Sequence, residues 1–132
     1  MNSDKVFSTT RTVVSSEIDD LDHVNNVVYL QWVQDIATLH WQHLTKNSDA
    51  KDLIWVVLRH EIDYLGQATL NEKITLKTWV GETKGVKSIR HVEIFKEDKL
   101  LVKAQTTWCL LNNKTLRPTR ITEDIFNLLS PA

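Results

Sequence analysis

With 132 residues, 42% of them hydrophobic and 25% charged, the chain is long enough for one domain with a sizeable core and too apolar to be disordered. A formal charge of -1 gives no basic field, which argues against a nucleic-acid partner. Cys109 is the only cysteine, and the segment MNSDKVFSTT has neither an apolar core nor a cleavage pattern. No apolar run approaches the length of a membrane span, so the expectation is a cytoplasmic protein with no membrane partner.

Lys5 to Ser16 carries β-branched residues at Val6, Thr9, Thr10, Thr12, Val13 and Val14, which predicts a first strand. Glu17 to Asn25 is a polar break. A helix follows from about Asn25 to about Leu44: Tyr29, Val33, Ile36, Ala37 and Leu44 fall on one stripe, widened by Val28, Trp32 and Leu39. So broad a stripe implies cover on more than one side. Thr45 to Asp52 is a polar connection.

From Leu53 to Leu65 the chain alternates, with Val56, Leu58, His60, Ile62 and Tyr64 on one face and Val57, Arg59, Glu61 and Asp63 on the other. Lys73 to Val80 alternates again, placing Ile74, Leu76, Thr78 and Val80 together, before a bend at Gly81 to Gly85. Val86 to Lys96 and Lys99 to Leu111 complete a meander around a tight turn at Glu97-Asp98. The last strand puts Val102, Ala104, Thr106, Trp108 and Leu110 on one face. Thr122 caps a short final helix with Glu123 and Asp124 in its first turn. The order of strand, long helix and four strands in antiparallel succession predicts an α+β fold with one helix on one face of an antiparallel sheet. Val57, Trp79, Ile89, Phe95 and Leu111 make the other face partly apolar, which hints at oligomers.

Polar residues crowd the start of the long helix: Asp19, Asp20, Asp22, His23, Asn25 and Asn26. The free N–H groups of a helix's first turn and the positive end of its dipole suit a developing oxyanion, and a carboxylate nearby can act as general base or nucleophile. By spacing alone, such residues are more often caps and solvated turns.

The run Asp19-Asp20-Leu21-Asp22-His23-Val24-Asn25-Asn26-Val27-Val28-Tyr29 resembles the D-x-x-G-H-V-N-N-x-x-Y signature of the hotdog-fold acyl-CoA thioesterases of the 4-hydroxybenzoyl-CoA thioesterase-like family. It is also similar to the H-V-N-N-V-x-Y segment of plant acyl-carrier-protein thioesterases. Weaker matches follow in order at Ile62-Asp63-Tyr64-Leu65, Lys87-Ser88 and Thr115-Leu116-Arg117-Pro118. The resemblance implies a single hotdog domain over residues 1–132, with an antiparallel sheet of about five strands wrapped around the helix. The activity it implies is hydrolysis of an acyl-CoA to the free acid and CoA, in a homodimer or homotetramer with the site between subunits.

Carried over by position, Asp19 corresponds to the catalytic carboxylate, as base or nucleophile, and Asn26 to the residue whose backbone N–H polarises the thioester carbonyl. His23 and Asn25 would orient Asp19, water or the acyl group. Tyr29 is the motif tyrosine, expected under the site. Lys87 matches a basic position that contacts nucleotide phosphate in one branch; Lys84 and Arg90 lie nearby without such a match. Trp32 is a candidate for the acyl pocket.

Two departures stand out. Asp22 replaces a glycine needed either for positive φ, which Asp tolerates, or for close approach to substrate, which a carboxylate would obstruct. Gln34-Asp35 occupies a helix region where many relatives carry glutamate. Leu21, where the plant enzymes have asparagine, favours the bacterial type. A hotdog hydratase, a non-catalytic acyl-binding domain and an acyl-carrier-protein thioesterase are the alternatives. Cys109 reads as a packed strand residue and His60 as a hydrogen-bonded core histidine. His40 and His43 lack a zinc pattern, so neither metal nor cofactor is expected.

Overall fold

The computed structural model describes residues 5–129; Met1 to Asp4, part of the stretch read for a leader, lie outside that range. Strand β1 (Phe7–Thr12) leads to helix α1 (Asn26–Thr45), then β2 (Ile54–Tyr64), β3 (Lys73–Lys84), β4 (Lys87–Lys96), β5 (Lys99–Leu111) and helix α2 (Glu123–Leu129). The five strands form one antiparallel sheet in the order β1-β3-β4-β5-β2. The architecture is the expected α+β, with α1 packed on the sheet.

The strands after α1 do not all follow one another in space. β3, β4 and β5 form the expected meander, but β2 crosses to the far edge beside β5, and β1 takes the opposite edge beside β3. At about 1.5 Å per residue, α1 is roughly 30 Å long, and the two strands it links end at opposite edges of the sheet.

Helix α1 starts where Asn25, in extended conformation, accepts a hydrogen bond from Val27 N at its side-chain oxygen. Tyr29, Trp32, Val33 and Ile36 from the helix pack against Ile74, Leu76, Val92, Ile94, Val102 and Ala104 from β3, β4 and β5. Each large side chain so buried contributes about 1.5–3 kcal/mol. Leu39, expected to widen this stripe, is instead 47% exposed. A second cluster joins Leu110 to Ile125 and Leu129 of α2, with Trp41 and Trp55 packed on it. Thr122 caps α2 as expected, accepting from Ile125 N.

Two strand irregularities change the predicted faces. The register of β2 against β5 shifts between Val57 and Arg59, leaving Leu58 52% exposed. A bulge of this kind reverses the alternation, so Trp55 joins the α1 side before it and His60 and Ile62 after it. The predicted Val56–Leu58–His60 face is therefore broken. Strand β3 also runs on to Lys84 through an irregularity between Val80 and Thr83, and the turn falls at Gly85 with φ +66.

Candidate active site

The loop before α1 is folded into a short antiparallel ladder. Asn25 N donates to Glu17 O at 3.0 Å, Ile18 bridges Val24, and Asp19 N donates to His23 O at 2.8 Å. Asp19 is thereby set close to the helix start. Its Oδ1 accepts from Leu21 N at 2.9 Å and from His23 N at 3.2 Å. Among the described residues Oδ2 makes no hydrogen bond, and the residue is half-buried.

His23 is hydrogen-bonded to Asp19 through its main chain: its N–H and its C=O both bind that residue, while its ring hydrogen-bonds to nothing among the described residues. Asn25 is a helix cap, its side chain occupied by Val27 N rather than turned toward Asp19. Asn26 is the first, exposed residue of α1. Its carbonyl accepts from the Tyr64 hydroxyl at 3.3 Å, and no acceptor is found for its N–H among the described residues. Asp22 has φ +63. The position therefore demands the left-handed conformation, which Asp adopts more readily than most residues.

Tyr29 and Trp32 are placed beneath this loop and are fully buried in the single chain, so neither presents a surface to substrate there. Tyr29 Oη accepts from Ala68 N at 2.9 Å, and Ala68 O accepts from Val24 N, which stitches the loop to the turn before β3. Burial raises the Tyr29 pKa. Trp32 meets Tyr29 edge to face and donates from Nε1 to Glu17 Oε2 at 3.0 Å.

Glu17 escaped sequence reasoning, hidden in a polar break. It is only 9% exposed. Oε2 also accepts from Arg11 Nη2 at 3.0 Å, and Oε1 accepts from Val14 N at 3.0 Å. One carboxylate thus ties β1, the loop and α1 together. The usable signal is an acid in the tight turn that leads from a strand into the motif.

Lys87 is not brought to this loop. It pairs with Lys84 at the β3–β4 hairpin, whereas the loop adjoins the other end of the sheet, where Val13 N donates to Glu72 O. From Thr75, near that end, β3 advances nine residue steps to Lys84, about 30 Å along the strand. Arg90, weighed beside it for phosphate, is buried on the α1 side. His60 is hydrogen-bonded as expected: Nδ1 lies 2.8 Å from Thr106 Oγ1 and Nε2 lies 3.2 Å from the Gln34 amide nitrogen. Burial lowers the His60 pKa. Cys109 is buried in β5 beside Lys87, at the end of the sheet away from His23. Among the described residues no cluster of potential ligands suits a metal ion, and no helix is long and apolar enough to cross a membrane.

Comparison with known proteins adds a family and a set of folds. Residues 4–129 match the acyl-ACP thioesterase N-terminal domain. Over 83 residues the chain is 28% identical to the chloroplastic acyl-(acyl-carrier-protein) hydrolase FATB3 of Cuphea viscosissima, covering 61% of this chain and 20% of that protein. The chain spans about a fifth of the length of the curated relatives it matches. The structure of a predicted thioesterase from Bacillus stearothermophilus superposes with a TM-score of 0.85 at 25% identity, covering 94% of this chain and 93% of that one. A thioesterase from Thermus thermophilus complexed with coenzyme A and Zn superposes with a TM-score of 0.82 at 20% identity, covering 92% and 90%. The fold is the hotdog fold.

Proposed function

The chain belongs to the acyl-ACP thioesterase family, and on that premise we propose that it hydrolyses an acyl-CoA thioester to the free acid and CoA. The observation that carries this reading is the placement of Asp19. One carboxylate oxygen is held by two backbone N–H groups and the other is free, close to a helix whose first N–H lacks an acceptor among the described residues. Acting as base, Asp19 takes a proton from water while the water oxygen bonds to the thioester carbon. The carbonyl oxygen gathers negative charge against Asn26 N–H, then the C–S bond breaks and the thiolate takes up a proton. Acting as nucleophile, the same carboxylate bonds to the thioester carbon, the C–S bond breaks to release the CoA thiolate, which takes up a proton, and water then opens the resulting mixed anhydride to the free acid and Asp19. His23 and Asn25 hold the loop and the helix end; Tyr29 and Trp32 support them from below.

A homodimer is part of the proposal. Strand β2 is an open edge, and pairing it with its symmetry copy antiparallel lays the hairpin end of one sheet beside the loop end of the other. Lys87 of one subunit would then face the loop of its partner, where it suits a nucleotide phosphate. Cytoplasmic location belongs to the same reading, in keeping with a lone buried cysteine.

Free-thiol release from a panel of acyl-CoAs tests the proposal. Asp19→Asn is expected to lower kcat at least about 100-fold with the fold intact. Undiminished release by the variant removes Asp19 from the mechanism, and no release from any acyl-CoA by the wild type favours a non-catalytic acyl-binding domain. A second reading, hydrolysis of acyl groups on acyl carrier protein, is favoured by the curated relatives. It predicts faster turnover of the carrier-protein thioester than of the CoA thioester of the same acid.

A further inference from the structure

A cavity of about 170 Å³ lies at the far end of α1, lined by Thr38 and Trp41 of that helix, Trp55, Arg90 and Trp108 of the sheet, and Leu129 of α2. Trp41 stands about 22 Å along the axis from the helix start, so this cavity is separate from the Asp19 loop of the same chain.

Arg90 is its unusual member. The residue is only 5% exposed. Nη1 lies 2.7 Å from His40 Nδ1 and donates to Thr78 Oγ1 at 3.2 Å. His40 accepts as a neutral ring: its pKa is pushed down to about 3, first by burial and then by the Arg90 charge. Burial draws Arg90 down to about 10, which leaves it protonated at neutral pH. Both partners are neutral acceptors, and among the described residues no carboxylate pairs with Arg90. A buried guanidinium without a counter-charge is costly.

The tryptophans add to the imbalance. The indole N–H groups of Trp41, Trp55 and Trp108 are all buried, and among the described residues none meets an acceptor. Trp41 and Trp55 pack edge to face at 5.6 Å, which orders the rings without giving either N–H an oxygen. Buried donors are normally paired. Here a cation and three residues with unpaired donors line one cavity, together with aliphatic side chains and the hydroxyls of Thr38 and Ser88.

A carboxylate supplies what is missing: one negative charge and two oxygens that accept from a guanidinium fork and from indole N–H. We propose that the cavity binds a small organic monocarboxylate, its charged end on Arg90 and its apolar body against Trp41, Trp55 and Trp108. A cavity of about 150 Å³ takes benzene, so the fitting acids are of benzoate or hexanoate size. Its test reads binding alone, so its failure and the failure of the thioesterase reading are distinguishable.

Indole resonances in proton–nitrogen NMR spectra provide the test, with benzoate, hexanoate and the neutral benzyl alcohol as probes. Saturable shifts of the Trp41, Trp55 and Trp108 signals are expected with an acid, and none at Trp32, whose N–H is held by Glu17. Whichever acid binds more tightly tells an aromatic from an aliphatic occupant. Benzyl alcohol and the Arg90→Met variant should each weaken binding at least about tenfold. Should Arg90→Met not fold, Thr38→Phe narrows the mouth while leaving the Arg90 contacts in place, and it too should weaken binding. The proposal is overturned if neither acid gives saturable shifts, if the alcohol binds as well as the acids, or if Thr38→Phe leaves affinity unchanged.

Discussion

Glu17 holds more of the loop than any residue of the motif itself. Its two oxygens accept from Arg11, from Trp32 and from the main chain at Val14. Glu17→Ala leaves a buried indole N–H and an arginine without their acceptor, at a cost of about 2–3 kcal/mol. Urea unfolding should show the loss as a lower midpoint with an unchanged slope, and a midpoint within error of wild type would contradict the latch. The motif residues were legible because they sit in one continuous run. Their division of labour was not: that Asn25 caps, that His23 works through its main chain and that Asp22 takes a left-handed turn are matters of backbone geometry. Glu17 was missed because burial of an acid depends on a tryptophan fifteen residues away coming to meet it.

At the level of elements, the long helix was the clearest signal, since its apolar positions repeat over many turns. Its exposed side was less so. Ile36 and Leu39 are both large apolar residues of the predicted stripe, yet Ile36 is 1% exposed and Leu39 47%. Ile36→Ala should cost about 2–5 kcal/mol and Leu39→Ala less than about 1. Equal costs in chemical denaturation would mean that α1 is rotated from the position described. The β2 bulge was invisible because β-branched and apolar residues occupy consecutive positions from Ile54 to Leu58, so either phase of alternation fits the sequence. Strand order was hidden for a different reason: periodicity says which residues form strands, not which strands are neighbours.

Two expectations belong to the molecule as a whole. The first concerns pH. His40 stays neutral in the folded protein down to about pH 3, while in the unfolded chain it titrates near 6.5. Its contribution is fully present above about pH 6.5 and is lost as pH falls, because the unfolded state then binds the proton first. Between pH 7 and pH 5 this amounts to about 2 kcal/mol, and the lowered pKa values of His60 and His91 act in the same direction. His40→Gln should be less sensitive to acid than wild type over that interval; an identical loss in both would contradict it. The second concerns assembly. If β2 edges pair, Leu58→Lys should give a monomer by sedimentation, with most thiol release gone. A variant that stays dimeric points to another interface, such as the outer face around Trp79 and Phe95.

The sheet order has a consequence during synthesis. β1 pairs with β3 and β2 with β5, so neither outer strand has a neighbour until most of the chain has been made. Helix α1 leaves the ribosome well before β3, β4 and β5 exist to cover Tyr29, Trp32 and Ile36. Nascent chains halted before β3 should therefore be held by chaperones or aggregate, whereas chains released after β5 can close the core in a single late step.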